Sequence, residues 1–432
     1  MIGYKLIYYN AFIFLLLIIA ISCKKEVANK VPVINIESPS ANQQFSTLDS
    51  IWIQASISDD NPVTSVKITI TDQNFTSVQQ PRYEFPNSRE VDIMMHYPIN
   101  ESISESGDYY LLIRAEDGSQ FKNVYQPIHI SVLPTQLKRA IVITQKNNNL
   151  MELYGFSLSS DPNLITGIDG DFTASAINSA GGQMYISGAS KLNLLAFNLN
   201  ENKIDWQIEQ VPLQPMHNAG CLFFDGLIYT TYFTDYIYGY SQTGAIDFNS
   251  NVAETESPAI IWKEDNYILA DFQRTNSGPT YIKTIYATTG AEKQRFFTNY
   301  KIVGFHSQEN TSVLITANEN QTGKVVLYYI AENVTSTIDI SAGFIHCSVS
   351  LENGKVLIGS DEGIFLYDPS LMYLIKIDSQ NDISHISFDN LSSQLYLVSN
   401  NEVVIKSWPQ MENQKTFTFS DPILDLHLQF TK

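Results

Sequence analysis

The sequence predicts an all-β protein, a β-sandwich followed by a seven-bladed β-propeller closed by the C-terminal strand. Three observations carry that prediction. Apolar and polar residues alternate over short runs and no 3.6-residue apolar stripe persists, which is the period of strands and not of helices. The chain is rich in Tyr (24) and Phe (23), with 16 Pro and 21 Gly among its 432 residues, a composition of strands divided by turns. A short apolar strand also recurs seven times beyond residue 140, at intervals close to one propeller blade.

Charge and cysteine content narrow the class. The chain carries 26 Lys+Arg against 45 Asp+Glu, a formal net charge of −19, while 44% of it is hydrophobic and 16% charged. That hydrophobic content excludes a disordered acidic chain, and the negative field opposes binding to a phosphate backbone. Three cysteines cannot build a disulfide framework. Cys221 (AGCLFF) and Cys347 (FIHCSV) sit in separate apolar strand patterns and are expected as buried thiols.

Residues 1–22 read as an address. Lys5 supplies a short positive region, and Ala11 to Ile21 form an apolar run of 11 residues. A helix needs about 20 residues to span a bilayer, so the run suits a secretory signal. It ends in Ala20-Ile21-Ser22-Cys23, which resembles a bacterial lipobox and implies lipidation of Cys23. Residues 23–30 would then be a lipidated tether. The sequence Lys24-Lys25-Glu26 is similar to the start of Bacteroidota lipoproteins, which implies an outer-membrane anchor. Both the periplasmic and the cell-surface leaflet are compatible with a single acid after the cysteine.

Residues 31–135 contain Val33 to Ile36, Ser50 to Ile57, Ser65 to Ile70, Glu90 to Met95, Tyr109 to Ala115 and Pro127 to Val132. Six or seven short period-2 strands in about 100 residues predict a sandwich. The segments Ile57-Ser58-Asp59-Asp60-Asn61-Pro62-Val63, Gly107-Asp108-Tyr109-Tyr110 and Arg114-Ala115-Glu116-Asp117-Gly118 resemble bacterial Ig-like domains. Asp59, Asp60, Asp72 and Asp117 are candidate oxygen ligands for calcium. The competing reading is that each aspartate bonds its own turn backbone.

Residues 136–432 hold the repeat. Ile141 to Thr144, Met184 to Ser187, Leu227 to Thr230, Tyr267 to Ala270, Val313 to Thr316, Val356 to Gly359 and Leu395 to Val398 start 43, 43, 40, 46, 43 and 39 residues apart. Each precedes a second strand pattern, most of them marked by Tyr or Phe, and each but the first follows an inner-strand candidate. The missing inner strand is Ile423 to Phe430, at the other end of the chain. Placing it in the first blade closes the ring and removes an open sheet edge. Leu395-Tyr-Leu-Val-Ser-Asn400 resembles YVTN propeller repeats, and Leu195 to Trp206 resembles those of quinoprotein-like propellers.

The chain has no nucleophile elbow, Walker loop, HExxH, CxxC or EF-hand loop. Aligning the inner strands puts His346, His385 and His427 at equivalent positions of neighbouring blades, a candidate divalent-metal set. Structural histidines between blades are the competing reading. A second candidate is one loop face bearing His217, Asn218, Tyr232, Phe233, Asp235, Tyr236, Phe272, Arg274, Asp361, Glu362 and Asp382, where aromatic rings among polar groups suit a protein, peptide or glycan partner.

The expected function is a non-catalytic, lipid-anchored binding or scaffold protein. The resemblance to the quinoprotein-like lipoprotein of the outer-membrane barrel-assembly machinery implies an accessory role in an envelope complex. The alternative, implied by lactonase- and lyase-type propellers, is an enzyme acting on a sugar-derived substrate. A Cys23→Ala chain is expected to lose fatty-acid labelling and to leave the membrane pellet for the soluble fraction; wild-type pelleting of that variant would remove the anchor.

Overall fold

The computed structural model describes residues 29–431 apart from 48, 101–102, 104, 133, 148, 210–219, 232–235, 252–255, 275–279, 309–310 and 340–341. The signal segment and Cys23 lie outside the described residues. Among the described residues the chain is all-β, with one short 3-10 turn at Glu352–Gly354 and no α-helix. It divides into two compact units between Pro134 and Thr135.

The first unit consists of two sheets over one core. Strands Val33–Ser38, Ser50–Val63 and Ser88–Pro98 form the smaller sheet. The larger runs in the order Gln43–Ser46, Phe121–Ser131, Gly107–Glu116, Ser65–Thr71 and Arg82–Glu84. Alternation along Ser50–Val63 sends Ile51, Ile53, Ala55 and Ile57 inward, against Val66, Ile68, Ile70, Leu111, Ile113, Ile128 and Ile130 of the other sheet. Gln43–Ser46 and Arg82–Glu84 were not among the expected strands. Both are short, polar edge strands that show no apolar alternation.

Among the described residues the second unit contains seven four-stranded antiparallel sheets. Their inner strands, in ring order, are Ile423–Phe430, Ala174–Asn178, Cys221–Phe224, Glu256–Glu264, Lys301–Ser307, Ile345–Ser350 and His385–Asp389. Each touches the inner strand of the next sheet, and Ile423–Phe430 touches both Ala174–Asn178 and His385–Asp389, which completes the circuit. We number the sheets one to seven in that order.

The packing explains the circuit. Second strands such as Gln183–Ser187 and Val356–Ser360 are buried at every residue, because both faces of their sheets are covered. Each pair of consecutive sheets shares its own apolar core. The core between sheets seven and one combines Tyr396, Val398, Val403 and Phe417 with Ala140, Val142, Phe156, Leu426 and Leu428. Ile423–Phe430 enters sheet one by antiparallel pairing with Leu137–Asn147, His427 opposite Ile141 and Leu428 opposite Ala140. Arg139 Nε donates to Gln429 Oε1 at 2.8 Å, and Thr431 N donates to Gln136 O at 2.9 Å.

Removing residues 423–432 strips Ile423, Leu426 and Leu428 from that core and exposes the edge of Leu137–Asn147. Each buried aliphatic side chain contributes about 1.5–3 kcal/mol, so the truncated chain is expected to lose its cooperative thermal transition and to aggregate. Circular dichroism melts and size-exclusion chromatography check this; a monomer melting at the wild-type temperature would refute it.

Candidate functional site

The densest polar grouping lies where sheets seven, one and two meet, on their inner strands. Asp425 and His427 project from Ile423–Phe430, Ser175 from Ala174–Asn178, and His385 from His385–Asp389. Ser175 Oγ donates to Asp425 Oδ2 at 2.6 Å and lies 2.7 Å from His427 Nε2. The same His427 nitrogen is 3.2 Å from Asp425 Oδ2, and His385 Nε2 is 3.8 Å from Asp425 Oδ1. Leu426 N donates to Asp425 Oδ1 at 2.8 Å. Burial works to raise the Asp425 carboxyl, but the imidazoles of His427 and His385 and the Ser175 hydroxyl outweigh it and hold the group well below the usual carboxylate range.

Serine, histidine and aspartate together invite comparison with a hydrolytic triad, and the geometry argues against one. A triad needs the serine on one imidazole nitrogen and the carboxylate on the other. Here both oxygens meet Nε2. The carboxylate therefore competes with His427 for the serine proton instead of orienting the imidazole from its far side. What the cluster does is join three sheets, through partners about 250 residues apart in sequence.

The proposed trio of His346, His385 and His427 does not converge. His385 and His427 share Asp425, whereas the turn after Val356–Ser360 brings Asp361 to His346, with Nε2 2.5 Å from Oδ1. Among the described residues no group of three or more His, Cys, Asp or Glu could hold a metal ion. Three of the four calcium candidates, Asp59, Asp72 and Asp117, accept N–H groups of their own turns. Asp72 Oδ1 accepts from Asn74 N at 2.9 Å and Thr76 N at 2.8 Å. Asp117 accepts from Ser119 N at 2.8 Å and Gln120 N at 2.6 Å, and Asp59 accepts from Asn61 N at 3.4 Å.

The loop-face candidates fare unevenly. His217, Asn218, Tyr232, Phe233 and Asp235 lie outside the described residues, as does the Arg274 side chain. Phe272 is not on a loop. Its strand continues to Arg274, and the ring is fully buried, stacked on Tyr281 at 5.6 Å with Lys283 Nζ 4.4 Å from its centre. Tyr236 opens the strand Tyr236–Tyr240 and stacks half-buried on Tyr238 at 5.5 Å. Asp361 and Glu362 occupy a turn, and Asp382, at φ +58°, sits before the seventh inner strand.

Three features escaped sequence reasoning. His306 lies buried between sheets five and six, with Nδ1 2.8 Å from Ser350 Oγ and Nε2 2.9 Å from Ser348 Oγ. Its signal was a polar residue in the column where other inner strands carry Val349 and Phe388. Asp171 accepts the backbone N–H groups of Ala189, Ser190, Lys191 and Leu192 at 2.8–3.0 Å, fastening one loop to the next. The third feature is a pair of grooves at the ends of sheets five to seven, with volumes of about 610 and 530 Å³. Tyr329, Gln308, Ser312 and Ser370 line the first, and Trp408, Phe388, Leu366 and Asn390 the second; Asn353 borders both.

The comparisons follow this geometry. Residues 32–91 match the family described as a bacterial Ig domain. No curated protein matches the chain. Similar solved structures include the computationally designed Ika8 protein, at 10% identity over 67% of this chain and 87% of that one, TM-score 0.49. BamB from Moraxella catarrhalis is similar at 11% identity over 67% and 92%, TM-score 0.41. The WD40 beta propeller domain of Doa1 is similar at 11% identity over 62% and 92%, TM-score 0.45.

Burial pushes the His306 imidazole from an ordinary 6.5 down to about 4. As pH falls the unfolded chain takes up this proton first, so the contribution is complete above pH 6.5 and is lost down to about pH 4. The loss is roughly 3 kcal/mol. His306→Gln is expected to flatten the decline in urea midpoint between pH 7 and pH 4.5; an unchanged slope would refute it.

Proposed function

We propose that this chain is a non-catalytic, lipid-anchored binding or scaffold protein of the bacterial outer membrane. In this reading the second unit is a seven-bladed propeller closed by the C-terminal strand, and the first is an Ig-like sandwich beside the Cys23 anchor. The propeller offers a protein, peptide or glycan partner a rigid surface, as an accessory of an envelope complex or in ligand capture.

The observation that carries the reading is the fate of the polar inner-strand residues. Ser175, Asp425, His427 and His385 bond one another across sheets, with the serine and the carboxylate on one imidazole nitrogen. Groups committed to joining sheets are poor acids and bases for a substrate, because moving them would open a seam. Two open grooves at the ends of sheets five to seven offer recognition instead. The lactonase or lyase alternative would require His385 to work on a substrate.

Affinity isolation of the full chain from detergent-solubilised envelopes is expected to recover a stoichiometric partner or a bound glycan. Isolation of the chain alone, with sugar-lactone turnover that disappears on His385→Ala, would overturn the proposal.

A further inference from the structure

We propose that the two grooves at the ends of sheets five, six and seven form one extended site for a neutral oligosaccharide. The proposal rests on the binding reading above and names its ligand. Each groove falls within the roughly 300–1,000 Å³ of small-ligand sites, and Asn353 links them. It stands at the crest of the 3-10 turn with φ +59°, a backbone region that asparagine tolerates, and its exposed amide has no partner among the described residues.

The lining chemistry selects the ligand class. Among the described residues that line the first groove none carries a charge, in a chain with 45 acids. In the second, Lys355 is paired with Asp368 at 3.0 Å, which leaves Glu352 as the one uncompensated charge among the described lining residues. Among the described lining residues a phosphorylated or carboxylated ligand would meet only Lys355, already paired with Asp368, and a basic one only Glu352. Hydroxyl groups, by contrast, match amide and hydroxyl side chains without desolvating a charge.

Each groove also has an aromatic platform with an unused polar handle. Tyr329 is 38% exposed, and its hydroxyl has no partner among the described residues. Trp408 is half-buried, braced edge-on by Phe388 at 6.4 Å. The other ring tryptophans use their N–H groups, Trp206 on Gln242 O at 2.7 Å and Trp262 on Glu264 at 3.1 Å. The Trp408 N–H has no such partner among the described residues. A sugar ring presents an apolar C–H face and hydroxyl edges, which is what an aromatic face beside an idle donor can hold.

The test uses the full chain in detergent. Neutral linear hexasaccharides of glucose, mannose, galactose and xylose are titrated by calorimetry and tryptophan fluorescence, with hexagalacturonate as the charged control. At least one neutral hexamer is expected to bind, and to bind more tightly than the control. Trp408→Ala should abolish the fluorescence response, and Tyr329→Ala and Asn353→Ala should each weaken binding about tenfold. Trp408→Phe, which keeps a ring but no N–H, should lie between. Thermal melts establish that the variants are folded; Asn353 is exposed, so its variant remains informative whatever happens to Trp408. No binding by any hexamer, preference for hexagalacturonate, or indifference to all three truncations would overturn the site. An apolar peptide that titrates the Trp408 signal when no hexamer does would also overturn it and assign the grooves to peptide. A partner recovered from envelopes and undiminished by these substitutions would overturn the groove while leaving the binding function standing.

Discussion

The second unit depends on one packing constraint: each of its seven sheets is buried on both faces. A sheet with two apolar faces cannot stand at the end of a row, because one face would meet water. A ring solves this, provided that the last sheet reaches the first. That junction is made by a strand from the far end of the chain, whose Leu426 and Leu428 fill the core between sheets seven and one. The same constraint explains why polar residues on inner strands turn to one another. Between packed sheets a hydroxyl or imidazole needs a partner, and a neighbouring sheet is the nearest source.

The interior chemistry is therefore largely structural. His306 sits neutral between two serines, Asp171 collects four amide donors, and Asp425 is shared by Ser175, His427 and His385. Of the two expected buried thiols, Cys347 is buried, and burial pushes it up to about 12; Cys221 is only half-buried at the edge of its seam. In the proposed reading, recognition falls to surfaces where donors and rings have no partner among the described residues.

Much of the architecture was legible because burial repeats. Val356 to Gly359 and its counterparts are apolar over their first three positions since both faces are covered, and that pattern recurs while the residues around it differ from sheet to sheet. The absent first inner strand and the surplus C-terminal one could be matched for the same reason. Side-chain direction was not legible. Phe272 belongs to a strand that runs four residues past Ala270, the end of its obvious apolar stretch, so a ring assigned to a loop is buried on Tyr281. His346, His385 and His427 share an alignment column, yet Asp361 takes the first and Asp425 the other two. The grooves escaped notice because Tyr329, Asn353 and Trp408 come from three different sheets.

Strand pairing between residues as distant as Arg139 and Gln429, 290 positions apart, bears on synthesis. A polypeptide made from its N-terminus delivers Leu137–Asn147 early, while the strand that covers it emerges some 290 residues later. Until then an unsatisfied ladder edge travels with the growing chain. Contacts of such separation form slowly, and bare edges invite intermolecular pairing. Production of this protein thus depends on whatever shields that edge between the ribosome and the final eight-residue strand, Ile423–Phe430.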